Sequence, residues 1–132
     1  MKHILILILM VGVAFGSERP DNQKYIRSII KECKFMYPDI VFKMYVQESG
    51  AGTSNLARNH NNVLGMKFPS KRPTLADGKT NSGFANYKTV RQSIWDFKLY
   101  EMMYLTGKSK SEYMRYLKEV YSKDKTYLDK FL

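Results

Sequence analysis

Apolar side chains recur at helical spacing at both ends of the chain. A first helix is predicted over 22–36, with Asp21 as its N-cap. Its buried face is marked by apolar residues three or four positions apart: Ile26, Ile29, Ile30 and Cys33. A second helix is predicted to start in the turn of Pro38 and to end at Gly50 and Gly52, because glycine accepts the left-handed conformation of a helix C-cap.

Further helices are marked by their N-terminal residues. Thr53 or Ser54 can cap a short helix through 55–58. Two capping boxes follow, in which a hydroxyl and the Gln or Glu three residues later each accept a backbone N–H; they are Thr89–Gln92 and Ser109–Glu112. A last turn or short helix is predicted to hold Tyr127, Leu128 and Phe131.

The segment 59–88 has a different composition. It contains Pro69, Pro73, Asp77-Gly78 and Ser82-Gly83, which are turn signals between short apolar runs. We predict a small β-hairpin lobe here. The expected fold class is therefore α+β, mainly α, with a groove between the helices and the lobe.

The first sixteen residues are typical of a secretory signal. Lys2 and His3 precede an apolar run of ten residues, 4–13, and Ala14-Phe15-Gly16 offers a cleavage site. The run is short for a transmembrane span, although an uncleaved anchor remains an alternative. We expect a periplasmic or secreted protein whose mature domain covers 17–132.

Charge and cysteine content narrow the class of protein. The 132 residues carry a formal net charge of +10, which favours association with anionic surfaces but says nothing about chemistry. Cys33 is the only cysteine, so an internal disulfide is excluded; a buried, inert thiol or an intermolecular disulfide remain. The two histidines, one of them in the signal, cannot assemble a metal cluster, and we expect no cofactor.

Glu48 is a carboxylate on the apolar stripe of the second helix. Val41, Met44 and Tyr45 precede it on the same face, and the helix ends two residues later. Desolvation and the negative end of the helix dipole both raise a carboxyl pKa. A carboxylic acid that stays protonated near neutral pH is what a glycosidase needs to protonate a leaving oxygen.

Four blocks carry a family resemblance. They are Gln47-Glu48-Ser49-Gly50-x-Gly52-x-Ser54-x-Leu56-Ala57, Asn61-Asn62-Val63-Leu64-Gly65-Met66-Lys67, Phe84-Ala85-x-Tyr87, and Tyr121-Ser122-Lys123-Asp124-Lys125-Thr126-Tyr127. In this order they resemble the bacterial glucosaminidase domain, glycoside hydrolase family 73, of lysozyme-like fold. The resemblance implies hydrolysis of the β-1,4 bond after N-acetylglucosamine in peptidoglycan. Ala51 is a departure, because an aromatic residue is common there.

The resemblance also implies roles for residues of this chain. Glu48 would be the general acid, and Tyr87 would orient the substrate or its acetamido group. Asp77 is the best candidate for a second carboxylate, with a plain Asp-Gly turn as the alternative; substrate assistance by the acetamido oxygen is the rival mechanism. Substrate contacts are predicted for four residues in these blocks: Ser49, Ser54, Asn62 and Phe84. For Asn62, bracing of the junction is an equal alternative.

Three functions fit the sequence. The first is an exported peptidoglycan hydrolase, a monomer acting on glycan strands without metal or nucleic acid and with no membrane role beyond the signal. The second is a wall- or glycan-binding protein that has lost catalysis. The third, which rests on charge alone, is a cationic protein acting on membranes or nucleic acid.

Overall fold

The computed structural model describes residues 18–122 and 127–129, and this part of the chain is mainly helical. Its α-helices are α1 (Gln23–Cys33), α2 (Pro38–Ser49), α3 (Asn55–His60), α4 (Val90–Tyr104) and α5 (Lys110–Tyr116), and α5 runs into a π-helical turn, Leu117–Tyr121. The predicted signal segment, 1–16, and Phe131 lie outside the described residues. None of the described helices has both the length and the apolarity that crossing a bilayer requires.

Most helix boundaries follow from local capping chemistry. Both predicted capping boxes are present, and the Ser54 side chain caps α3 by accepting from the Ala57 N–H. The prediction of Asp21 as the first cap is wrong: the Asn22 side chain accepts from Tyr25 N instead. The Asp21 carboxylate is engaged by Arg19 at 3.1 Å and lies outside the helix.

The core forms where α1 meets α2 and α4. The predicted stripe of α1 is confirmed, with Ile26, Ile29, Ile30 and Cys33 all buried. Burial raises the pKa of the Cys33 thiol to about 12, so the prediction of a buried, inert cysteine agrees with its surroundings. Large side chains from the middle of the chain, among them Leu64 and Tyr87, complete the core.

The predicted β-hairpin lobe is not found. Residues 59 and 60 still belong to α3, and the described part of the segment forms only two isolated antiparallel bridges, Lys67–Phe84 and Lys79–Ala85. The pairing is supplemented by a side chain: the Asn62 amide donates to Met66 O and Ala85 O, both at 2.9 Å, while Met66 O also accepts from Ala85 N. The segment is therefore an irregular loop region braced by polar side chains.

Candidate active site

Glu48 lies in the last turn of α2, where Gly50 ends the helix in the left-handed conformation (φ 58°). The carboxyl is partly buried. Desolvation by burial raises its pKa above the ordinary glutamate value, against the lowering effects of Tyr127 and Lys67. Because no described carboxylate contributes to this shift, the direction is set mainly by the dry surroundings.

Gly65 makes the space for this carboxyl. A Cβ atom at position 65 would lie 2.3 Å from Glu48 Oε2 and 3.0 Å from its Cδ, closer than nonbonded atoms approach. Its φ of +69° is also a conformation that glycine adopts without steric cost. The loop after α3 thus contacts the carboxyl with bare backbone.

A C-terminal turn contacts the same end of α2. The Leu128 N–H donates to the side-chain oxygen of Gln47 at 2.8 Å, and Tyr127 and Leu128 are fully buried. The Tyr127 hydroxyl is close enough to lower the pKa of Glu48, yet it meets no acceptor with hydrogen-bond geometry. The contact is therefore an approach that falls short of a hydrogen bond.

Two concave surfaces include residues of the loop region after α3. The first, which we call the tyrosine groove, has a volume of about 360 Å³; its lining includes Gly65, Lys67, Lys71, Tyr100, Tyr104, Tyr116 and Tyr121. The second, which we call the shallow groove, has a volume of about 710 Å³ and is lined in part by Ser54, His60, Thr80 and Phe84.

Glu48 is not among the residues that line these two grooves. Gly65, which contacts the carboxyl, lines the tyrosine groove. Lys67 lines the same groove and forms a backbone bridge with Phe84 of the shallow groove. The Glu48 carboxyl therefore lies next to a residue of the tyrosine groove.

Two residues predicted to contact substrate instead hydrogen-bond backbone groups. The buried Ser49 hydroxyl donates to Tyr45 O at 2.6 Å and accepts from Gly52 N at 2.9 Å. Asn62 is also fully buried, and its side-chain oxygen accepts from Met66 N at 3.0 Å in addition to its two donated bonds. Neither side chain is exposed to a ligand here, and the bracing alternative describes Asn62.

The other predicted substrate residues lie at the surface. Ser54 and Phe84 line the shallow groove together. Asp77 is exposed, lines neither groove, and its N–H donates to Asn86 O at 2.7 Å. The Asn86 N–H in turn donates to Gly78 O at 2.9 Å, so the Asp77-Gly78 backbone pairs with residue 86.

Tyr87 belongs to a buried polar cluster. Its hydroxyl donates to Asp96 at 2.5 Å, and the same carboxylate accepts two bonds from Arg72, at 2.9 and 3.1 Å. Thr74 and Leu75 N also donate to it. With 2 % of its surface exposed, Tyr87 presents almost no area to a substrate, and it joins the loop region to α4.

The sequence reasoning missed four residues of this arrangement. Gly65 and Tyr127 were in the quoted blocks without a role, and Arg72 and Asp96 were not singled out. Asp96 carried a usable signal, because it lies between the buried Ser93 and Phe97 on α4, as Glu48 lies on the stripe of α2.

The family comparison decides the class. The family model described as mannosyl-glycoprotein endo-beta-N-acetylglucosaminidase matches residues 23–132, which is most of the chain and includes every helix above. The chain belongs to the glucosaminidase family. The resemblance drawn from the four blocks is thereby confirmed, and the glucosaminidase family is one of glycoside hydrolases.

A curated relative gives a partial match. Protein bax of Escherichia coli (strain K12) is 37% identical to this glucosaminidase-family chain over 67 residues, which is 51% of this chain and 24% of bax. The chain thus spans about a quarter of the length of that relative. No solved structure matches the chain.

Proposed function

We propose that this chain is an exported endo-β-N-acetylglucosaminidase that cleaves peptidoglycan after N-acetylglucosamine, with Glu48 as general acid. The observation that carries the proposal is the environment of Glu48. The side chain ends a helix, is desolvated, and has a pKa raised by that burial. Family membership supplies the reaction class, and the peptidoglycan substrate comes from the resemblance of the four blocks.

The proposed reaction begins with proton transfer from Glu48. Protonated Glu48 gives its proton to the glycosidic oxygen while the bond from that oxygen to the anomeric carbon breaks. Water then adds to the anomeric carbon, and one of its protons restores the acid. A positioned acid contributes about 10²–10⁴-fold, so a second group must stabilise the positive charge at the anomeric carbon.

Substrate assistance is the mechanism favoured for that second group. No described carboxylate acts on the pKa of Glu48, and Asp77 is exposed and lines neither groove. The acetamido oxygen of the sugar can supply the missing nucleophile without a protein carboxylate. We therefore assign the opposite side of the reaction to the substrate.

The grooves supply the surfaces for a glycan strand. The tyrosine groove offers aromatic rings, and Tyr104 is 38% exposed, which suits the apolar faces of sugar rings. The shallow groove offers hydroxyl and amide groups, among them the hydroxyls of Ser54 and Thr80 and the amide of Asn81. Because Lys67 and Phe84 connect the two, a strand that occupies both grooves crosses the loop region next to Glu48.

A Glu48→Gln variant tests the proposal. The purified mature chain is incubated with cell walls, and released muropeptides are analysed by mass spectrometry for new reducing ends. We expect release by wild type to end on N-acetylglucosamine and release by Glu48→Gln to fall by at least about 10²-fold. Glu119→Gln, which makes the same change at an exposed carboxyl, is the matched control and should keep full activity. Equal digestion by Glu48→Gln would refute the role of Glu48.

A wall-binding protein without catalysis is the second candidate. It is favoured by one observation: Glu48 is not among the residues that line either groove. This candidate predicts that wild type binds walls and releases no reducing ends across roughly pH 4–8, the range over which a raised glutamate titrates. Release of reducing ends by wild type excludes it.

A further inference from the structure

The Tyr127 hydroxyl is a buried polar group that is left without a partner. Within residues 18–122 and 127–129, it is the buried side-chain nitrogen or oxygen that makes no hydrogen bond. Leaving a buried donor unsatisfied costs free energy, and such groups are rare in folded proteins. A group of this kind next to a proposed acid calls for a reason beyond packing.

The backbone holds Tyr127 in this position. Leu128 is fully buried, adopts a positive φ of 70°, and donates its N–H to the Gln47 side chain, one residue before Glu48. The turn is therefore fixed to the last turn of α2 independently of the phenol. The hydroxyl approaches the Glu48 carboxyl as a consequence of that anchoring.

Three ionisable groups face Glu48 among the described residues. Lys67, from the loop after α3, is exposed, so solvent screens its charge. Tyr121, from the π-helical turn, already donates its hydroxyl to Leu64 O at 2.6 Å. Tyr127 is the buried one of the three whose donor is uncommitted.

We propose that Tyr127 is a positioning residue, whose uncommitted hydroxyl hydrogen-bonds the Glu48 carboxylate that forms when the acid gives up its proton. The inference rests on the proposed role of Glu48. No atoms move between the two residues: the proton of Glu48 goes to the glycosidic oxygen, and the phenol keeps its own. A small rotation of either side chain completes the hydrogen bond.

The physical advantage lies in the difference between two states. An O–H donor binds a carboxylate more strongly than a neutral carboxylic acid, because the acceptor is charged. The hydroxyl therefore stabilises Glu48 after proton transfer more than before it. This is the differential interaction that lowers a barrier, whereas equal interaction with both states would not. It also explains why Tyr127 opposes the effect of burial on the acid.

Tyr127→Phe removes only the hydroxyl and tests the proposal. Since that hydroxyl makes no bond in the resting protein, we expect the thermal midpoint to stay the same or rise. The pKa of Glu48 should move upward, so the alkaline limb of the pH–rate profile should shift to higher pH. We expect kcat to fall by about tenfold, because the conjugate base loses its donor.

Tyr45→Phe is the matched control. The Tyr45 hydroxyl donates to Pro20 O at 2.7 Å, so its removal should lower the thermal midpoint and leave the pH–rate profile in place. The titration of the Glu48 carboxyl, followed by carbon NMR in wild type and Tyr127→Phe without substrate, gives a second readout that needs no turnover.

The outcomes separate this inference from the proposed function. If Glu48→Gln is inactive but Tyr127→Phe keeps the wild-type profile and titration, the inference on Tyr127 is overturned and the role of Glu48 stands. If Glu48→Gln digests walls like wild type, the proposed function fails. A lowered thermal midpoint with an unmoved Glu48 titration would show that Tyr127 is only structural.

Discussion

At the scale of single residues, Glu48 depends on neighbours that are small or anchored. Gly65 contributes no side-chain atom, and the Tyr127–Leu128 turn is held through Gln47. The position of the Glu48 carboxyl therefore depends on the missing side chain of Gly65 on one side and on the buried Tyr127 ring on the other. A change in either neighbour should act on the acid without touching it chemically.

Gly65→Ala is expected to displace the Glu48 carboxyl. The added Cβ would stand 2.3 Å from Oε2, so the side chain must move. A displacement of about 1 Å at a catalytic group can cost about 10²-fold in rate, and we expect a loss of that order in wall digestion. An alanine at this positive φ should also lower the free energy of unfolding by about 1–2 kcal/mol.

Gly83→Ala separates the two effects. Its φ is +87°, but a Cβ there meets no atom within 4 Å. This variant should lose similar stability in urea unfolding and keep its activity per folded molecule. If both variants lose activity equally, the space at position 65 is not what positions the acid.

At this scale the sequence could indicate which residue is a candidate acid, but not which groups a polar side chain hydrogen-bonds. Glu48 was identifiable because a carboxylate on an apolar helical stripe must be either paired or held neutral. Ser49 and Asn62 were assigned to substrate, although their polar atoms serve the backbone of the turn after α2 and of the loop after α3. Spacing along the chain does not reveal which groups a buried serine or asparagine will meet.

At the scale of elements, helices were predictable and the loop region was not. Capping boxes and glycine C-caps are local, so the starts of α4 and α5 and the end of α2 followed from a few neighbouring residues. The region 61–88 is organised by long-range side-chain bonds, mainly through Asn62 and Asp96. The turn-rich composition predicted a hairpin, of which the structure shows only two isolated antiparallel bridges.

Asp96→Asn should detach the loop region from α4. Arg72 would remain buried with its charge unpaired, which typically costs about 3–5 kcal/mol of unfolding free energy. Urea unfolding measures this loss. Asp39→Asn is the control, because its ion pair with Lys110 at 2.6 Å is exposed and should be worth less than about 1 kcal/mol. Equal losses in the two variants would contradict the proposed weight of the buried cluster.

The difference in unfolding free energy between wild type and Asp96→Asn should depend on pH. Desolvation alone would raise the pKa of Asp96, but hydrogen bonds from Arg72, Tyr87, Leu75 and Thr74 outweigh it and hold the pKa below the ordinary value. A lowered folded-state pKa means stability that is present above the unfolded pKa and lost as the pH falls through the folded pKa. The gap between wild type and Asp96→Asn should therefore be widest near neutral pH and narrow in acid.

At the scale of the whole molecule, the net charge and the grooves predict different modes of binding. The net charge of +10 favours association with any anionic surface, whereas the proposed glycan contacts lie in the tyrosine groove and the shallow groove. Long-range attraction is screened by salt, and groove contacts are not. Salt therefore separates the two.

Binding of Glu48→Gln to purified walls should weaken between low salt and about 0.5 M salt, where screening lengths fall to a few ångströms, but should persist. Binding to an uncharged N-acetylglucosamine oligomer should change little over the same range. A pull-down assay with each ligand measures both. Complete release from walls, together with no binding to the oligomer, would favour the purely cationic alternative.

The absence of a side chain at Gly65 gives a criterion for comparing homologous sequences. Any homologue that keeps the glutamate but carries a larger residue at the position of Gly65 has no room for the carboxyl in the arrangement described above. Such chains are candidates for proteins that hold wall polymer without cutting it. The residue at this one position thus predicts which homologues cleave wall polymer and which only bind it.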